Sequence, residues 1–242
     1  MKIAFYGDSL TDGYPGVSYF KLLEARLRPD TLLNFGRFND TAISLHRRII
    51  TRRLLRPVDV SVVWVGVNDV LVGDSRLFSR LRRWWARDEA EFRIHTRALL
   101  DLLTEHTGRL IAVTPALANE QVGSPSNQRL ARLGAIINEL AAGYGNVEVL
   151  DMHALFVQAL GTGSSAAYRP PHPLQSVVDA LTLRTPERVD AAALERGLRL
   201  TLDGVHLNSA GARLAADAIE AAIYAAAHDR ARLVSPDAEK GA

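Results

Sequence analysis

The 242-residue sequence contains no cysteine. This excludes a disulfide framework, a thiol nucleophile and thiolate metal ligands, and it leaves the compartment open. Lysine is nearly as scarce. Only Lys2, Lys21 and Lys240 occur, so arginine supplies almost all the positive charge. No apolar run approaches the ~20 residues needed to cross a bilayer, so no integral membrane association is expected. The N-terminus lacks the apolar stretch of roughly 7–15 residues and the small-residue cleavage site of a signal peptide. A cytoplasmic protein is therefore the default expectation. No Gly-x-x-x-x-Gly-Lys motif is present, which excludes a P-loop. No compact His/Asp/Glu spacing suggests a metal site.

What is present suits a globular enzyme. Hydrophobic residues make up 48% of the chain, enough for a sizeable core. The sequence pI of about 9.1 invites a nucleic-acid reading. Lys and Arg number 29 against 27 Asp and Glu, however, so the charges nearly cancel and no nucleic-acid partner is expected. Nothing in the sequence bears on oligomeric state.

Short β-type runs alternate with longer helical patterns. Lys2–Tyr6, Thr31–Phe35, Asp59–Val65, Arg109–Thr114 and Val147–Asp151 read as strands. Asp59–Val65 is a continuous β-branched run, which suits a strand covered on both faces. Tyr19–Arg28, Ala42–Leu55, Glu89–Thr107, Ser126–Tyr144 and Ser209–Ala227 read as helices. This alternation predicts an α/β fold, a three-layer α/β/α sandwich around a five-stranded parallel sheet. One domain is expected over residues 1–234, followed by a polar tail at 235–242. Leu71–Arg87 and Leu160–Arg199 do not fit the alternation. The stretch 160–199 is expected to be an insertion or lid, since loops this long are uncommon in compact domains. Arg47, Arg48, Arg52 and Arg53 are expected on a solvated helix face. Of Trp84 and Trp85, one is expected in the core and the other on the rim.

Chemistry points to three places. Ile3–Tyr6 ends in Gly7-Asp8-Ser9, which puts a hydroxyl at the carboxyl end of the first strand, where ligands bind in such folds. Serine needs a base to take its proton. Of the seven histidines, His206 stands out in Asp203-Gly204-Val205-His206. The Asp-x-x-His spacing lets Asp203 reach the ring nitrogen facing away from a substrate. His153 and His172 are weaker candidates to line a site. Gly66-Val67-Asn68-Asp69 follows the buried strand and offers the Asn68 amide as a donor to a developing oxyanion.

In this order the three motifs strongly resemble the SGNH (GDSL) hydrolase family, from Ile3 to about Ala222. The resemblance implies a flavodoxin-like sandwich, ester hydrolysis, a small-molecule ester substrate and no metal or organic cofactor. It makes Ser9 the nucleophile, His206 the base and Asp203 its orienting partner. Oxyanion donors would be the Ser9 N–H, the Asn68 amide and one further backbone N–H. The family expects a glycine at that last position, where this sequence has Asn39, with Gly36 as the alternative. The Asn39 side chain would crowd the acyl side and favour a small pocket. The same triad would equally serve an acyltransferase with an alcohol or sugar acceptor. A non-catalytic carbohydrate- or protein-binding module is a third reading, disfavoured by the retained triad.

Overall fold

A computed structural model of the protein describes residues 1–74, 84–161 and 182–234. In chain order the elements are β1 (Lys2–Gly7), α1 (Ser9–Asp12), α2 (Tyr19–Arg26), β2 (Thr31–Gly36), α3 (Ala42–Thr51), β3 (Val58–Trp64) and α4 (Val67–Asp74). They continue with α5 (Glu89–Thr104), β4 (Thr107–Val113), α6 (Pro125–Ala141), β5 (Val147–Leu150), α7 (Met152–Leu160), α8 (Pro186–Glu195) and α9 (Ser209–Val234). The five strands form one sheet in the order β2-β1-β3-β4-β5. Every pairing is parallel.

The period-2 geometry of strands divides the core into two layers. Ile3 and Phe5 of β1 face one side, with Val60, Val62 and Trp64 of β3, and pack against α2, α7 and α9. Ala4 and Tyr6 face the other side and pack against α3, α5 and α6. The chain crosses from one layer to the other where β1 lies between β2 and β3. That is the switch point of a 2-1-3-4-5 sheet, and it opens a crevice at the carboxyl ends of the strands. Local chemistry sets the helix starts. Ser18, Thr41, Asp88, Ser124 and Thr185 each cap a helix with a side-chain oxygen.

Several boundaries differ from the sequence reading. The helix expected to reach Leu55 stops at Thr51, because Arg53 takes a left-handed φ of 50° and Leu54 bonds back to Ile49. The helix expected to reach Thr107 stops at Thr104, because Thr107 already pairs with Val58 in the sheet. The four-residue α1, together with α4 and α7, has too short a pattern to register in the sequence. The Arg-rich face is also not uniformly solvated: Arg48 is buried. Trp84 is exposed and Trp85 only half-buried, so neither of the pair sits in the core as one was expected to. His172, Arg82, Arg83, the 162–181 half of the 160–199 stretch and the 235–242 tail lie outside the described residues. Among those described, no helix is long and apolar enough to cross a membrane.

Candidate active site

Ser9 opens α1 directly beyond β1. Asp8 caps this short helix, its Oδ1 accepting the Leu10 N–H at 2.9 Å. Close backbone packing fixes the position of α1. A β-carbon at Gly36 would collide with the Asp12 backbone nitrogen, and one at Gly7 would lie 2.5 Å from the Trp64 carbonyl. Asn34 fastens the contact: its amide donates to the Thr11 carbonyl and its Oδ1 accepts the Gly36 N–H, both at 2.8 Å.

Asp203 and His206 come from the turn between α8 and α9. Leu202 N–H bonds the His206 carbonyl at 2.7 Å, and Thr201 bridges to Leu207. Gly204 has a φ of 95°, which is why this turn needs glycine. The Asp203 Oδ1 accepts the backbone N–H groups of Val205 and His206 at 3.1 and 2.9 Å. Its Oδ2 lies 2.7 Å from His206 Nδ1. On the far side of the ring, His206 Nε2 lies 3.0 Å from Ser9 Oγ. A hydroxyl, an imidazole and a carboxylate thus form one hydrogen-bonded series, which is the arrangement that can deprotonate a serine.

Electrostatics follow from burial and from these contacts. Burial alone would lower the His206 pKa. The Asp203 carboxylate, helped by Asp8, outweighs it and raises the ring above its ordinary value. Burial alone would raise the Asp203 carboxyl, but His206 and the two backbone N–H groups hold it below its usual range. Asp8 has less help: burial pushes it up to about 7, against the opposing pull of the Leu10 N–H and His206.

The remaining expected donors belong to the start of α4 and to the turn after β2. Asn68 lies in the first turn of α4, buried, with its Nδ2 donating to the Asp40 carbonyl at 2.9 Å. Asp40 ends a turn begun by Arg37, whose carbonyl accepts the Asp40 N–H at 3.1 Å. Within that turn Asn39 takes a left-handed φ of 68°, a conformation Asn tolerates better than most residues. Phe38 lies parallel to the His206 ring, with centroids 6.4 Å apart and planes 12° apart. The Gly36 N–H is taken by Asn34 Oδ1. His153 points elsewhere, its Nδ1 2.6 Å from the Ala116 carbonyl.

Three supporting residues were not legible in the sequence. Arg48 Nε bonds Asp40 Oδ2, and its Nη2 bonds the Phe35 carbonyl, both at 2.6 Å, so it braces the turn that orients Asn68. Asp69 accepts the N–H groups of Ala42 and Ala86 at 2.9 and 3.0 Å, tying α3 to the segment before α5. Glu120 accepts the backbone N–H groups of Arg199, Leu200 and Thr201, each at 2.8 Å, beneath the Asp203 turn. Arg48 lies one helical turn beyond Ser44, on the face of α3 that turns back toward Asp40. No cluster able to hold a metal ion occurs among the described residues.

Comparison with known proteins agrees with the fold. Residues 5–214 match the GDSL-like Lipase/Acylhydrolase family. No curated protein sequence matches the chain. Among solved structures, the acetyl xylan esterase AlAXEase is 21% identical, covering 92% of this chain and 100% of its own, with a TM-score of 0.66. LAE5, an α/β hydrolase enzyme from the metagenome of Lake Arreo, Spain, is 21% identical over 91% of this chain and 94% of its own, with a TM-score of 0.65. Axe2, an acetylxylan esterase from Geobacillus stearothermophilus, is 19% identical over 90% of this chain and 91% of its own, with a TM-score of 0.62. At these identities the likeness to the three structures is one of fold. The match over residues 5–214 covers most of the sequence, so the chain belongs to the GDSL-like lipase/acylhydrolase family of carboxylic ester hydrolases.

Proposed function

We propose that the protein is a serine esterase for short-acyl carboxylic esters, acetyl esters first, working through Ser9, His206 and Asp203. The observation that carries this reading is the contact series from Ser9 Oγ through the His206 ring to Asp203 Oδ2. Ser9 Oγ attacks the ester carbonyl as His206 Nε2 takes its proton. Asp203 holds the ring in the tautomer that leaves Nε2 free to accept, and it stabilises the imidazolium that forms. The new oxyanion meets three donors. Ser9 opens α1, so its backbone N–H needs no intrahelical acceptor. Asn68 Nδ2 has two hydrogens, of which one goes to the Asp40 carbonyl. The third donor is the Asn39 N–H. The engagement of the Gly36 N–H by Asn34 argues against the alternative.

Collapse of the tetrahedral species expels the alcohol, which takes the proton from Nε2. Water then attacks the acyl-enzyme with the same base, releasing the acid and regenerating Ser9. Two features support a short acyl group. Asn39 brings a side chain to a position where the family expects glycine, and Phe38 stands beside His206. AlAXEase and Axe2, two proteins of similar fold, are acetyl xylan esterases, which points the same way.

The test compares wild type and Ser9→Ala on p-nitrophenyl acetate, butyrate and octanoate. Wild type is expected to prefer acetate, and the variant to lose turnover on all three. Equal turnover by both proteins would falsify the triad, and a preference for octanoate would overturn the short-acyl assignment alone.

A further inference from the structure

Behind the turn that carries Phe38 and Asn39 lies a second recess of about 260 Å³, walled by Arg37, Arg47, Arg48, Arg52, Asp40 and Trp84. Its charge is one-sided. Arg48 is paired with Asp40, which leaves the other three arginines of the wall without a carboxylate in ion-pair contact among the described residues. Arg47 is held in place by an aromatic face, its guanidinium 3.7 Å from the Trp84 ring centre. A merely solvated face would show none of this arrangement. Here one arginine is buried, one is stacked and two border a concave space.

The recess shares its wall with the reaction centre. Arg37 and Asp40 are the ends of the turn whose Phe38 ring lies along His206. Consecutive Cα atoms are about 3.8 Å apart, so each end of the turn lies within about 8 Å of Phe38 and Asn39. Guanidinium groups recognise carboxylate and phosphate through paired, charge-assisted hydrogen bonds. The volume suits one such group and a few attached carbons.

We propose that this recess binds an anionic oxygen group, phosphate or carboxylate, on the ester substrate, so that the enzyme selects anionic esters over neutral ones of the same shape. The proposal rests on the esterase reading above and adds a substrate class to it. Arg37, Arg47 and Arg52 are specificity residues that touch the anion. Arg48 serves as the buried brace that keeps Asp40 from cancelling them.

The experiment pairs 4-acetoxybenzoate with the neutral 4-acetoxybenzamide, in wild type and in a variant carrying Arg37→Gln, Arg47→Gln and Arg52→Gln. All three side chains are exposed, so the variant is expected to fold, and its circular dichroism and Tm check this. The ratio of kcat/KM for the anionic ester over the neutral one is expected to fall at least tenfold in the variant, ~1.4 kcal/mol. In wild type the same ratio is expected to fall as salt is raised, since exposed charges are screened. An unchanged ratio overturns the proposal. Inorganic phosphate and phenyl phosphate, titrated calorimetrically into the intact protein, separate the two possible sources of the anion. Competitive inhibition of 4-acetoxybenzoate hydrolysis by phenyl phosphate supports a substrate subsite. Phosphate binding with no preference between the esters overturns it in favour of a free-anion site. If neither ester is hydrolysed, the esterase reading has failed, and the calorimetry still decides whether the recess takes an anion.

Discussion

Glu120 Oε1 accepts both the backbone N–H and the hydroxyl of Thr201, at 2.8 and 2.7 Å, although 81 residues separate them. The same hydroxyl oxygen accepts the Gly204 N–H at 3.1 Å. One buried carboxylate therefore anchors the turn that presents Asp203 and His206. Glu120 is itself held by its loop, which the fully buried Asn127 of α6 gathers through bonds to Ala118, Asn119 and Gln121. Removing the carboxylate strands several buried donors. Glu120→Ala is expected to cost roughly 3 kcal/mol of stability, within the range for an unsatisfied buried network. Its kcat is expected to fall well below that of a surface control in folded protein. Chemical denaturation with parallel kinetics checks both, and an unchanged midpoint would remove Glu120 from this role.

In the proposed mechanism Asn68, oriented by its bond to the Asp40 carbonyl, donates to the oxyanion. Asn68→Ala is expected to lower kcat by about 10²–10³ with little change in KM, the usual effect of one lost oxyanion donor. Steady-state kinetics on p-nitrophenyl acetate decide. A loss confined to KM points instead to ground-state binding.

The pH profile follows from His206. The base must be neutral to accept the serine proton, and below its pKa it is charged. Burial lowers this pKa, but Asp203 and Asp8 more than offset it. The acidic limb of kcat/KM is therefore expected above the ordinary histidine value of about 6.5. Asp203→Asn removes the main attractive charge, so the limb should move to lower pH. The rate should also drop by about 10⁴, as expected when the ring is held in the wrong tautomer. A limb that stays in place in the variant contradicts the assignment.

A second histidine effect concerns stability. His46 Nδ1 of α3 lies 3.4 Å from His95 Nδ1 of α5, and both rings are half-buried. Burial first, then His95 and Arg47, lower the His46 pKa. The unfolded chain therefore binds a proton at higher pH than the folded one. Stability from the neutral His46 ring is present above about pH 6.5 and is lost as pH falls through the unfolded value. His95→Gln is expected to weaken that dependence. Urea midpoints across the acidic range check it, and an identical slope in the variant refutes it.

The sequence revealed the parts of this architecture that rest on local pattern. The β-branched run of β3 announced a doubly covered strand, and the Gly-Asp-Ser end of β1 placed a hydroxyl at the sheet edge. Asp-x-x-His encoded its own hydrogen bond, because three residues suffice to close it. The buried supports were not legible, because their partners are remote. Glu120 serves residues about 80 positions away, and nothing around it marks it as different from a surface glutamate. Arg48 is indistinguishable in sequence from its neighbours Arg47 and Arg52, because its partner Asp40 lies outside the helix. The conformation of Arg53 also depends on context, which is why the end of α3 was misplaced.

Ser9 and His206 are joined across 197 residues, the first strand's edge against the turn before the last helix. A growing chain therefore displays its hydroxyl early and lacks a base until that turn has left the ribosome. On the proposed mechanism, a chain that stops short of that turn has a hydroxyl with no base beside it. Chains halted ahead of position 206 should accumulate as inert fragments, with the sheet's central strands already made and the reaction centre still unbuilt.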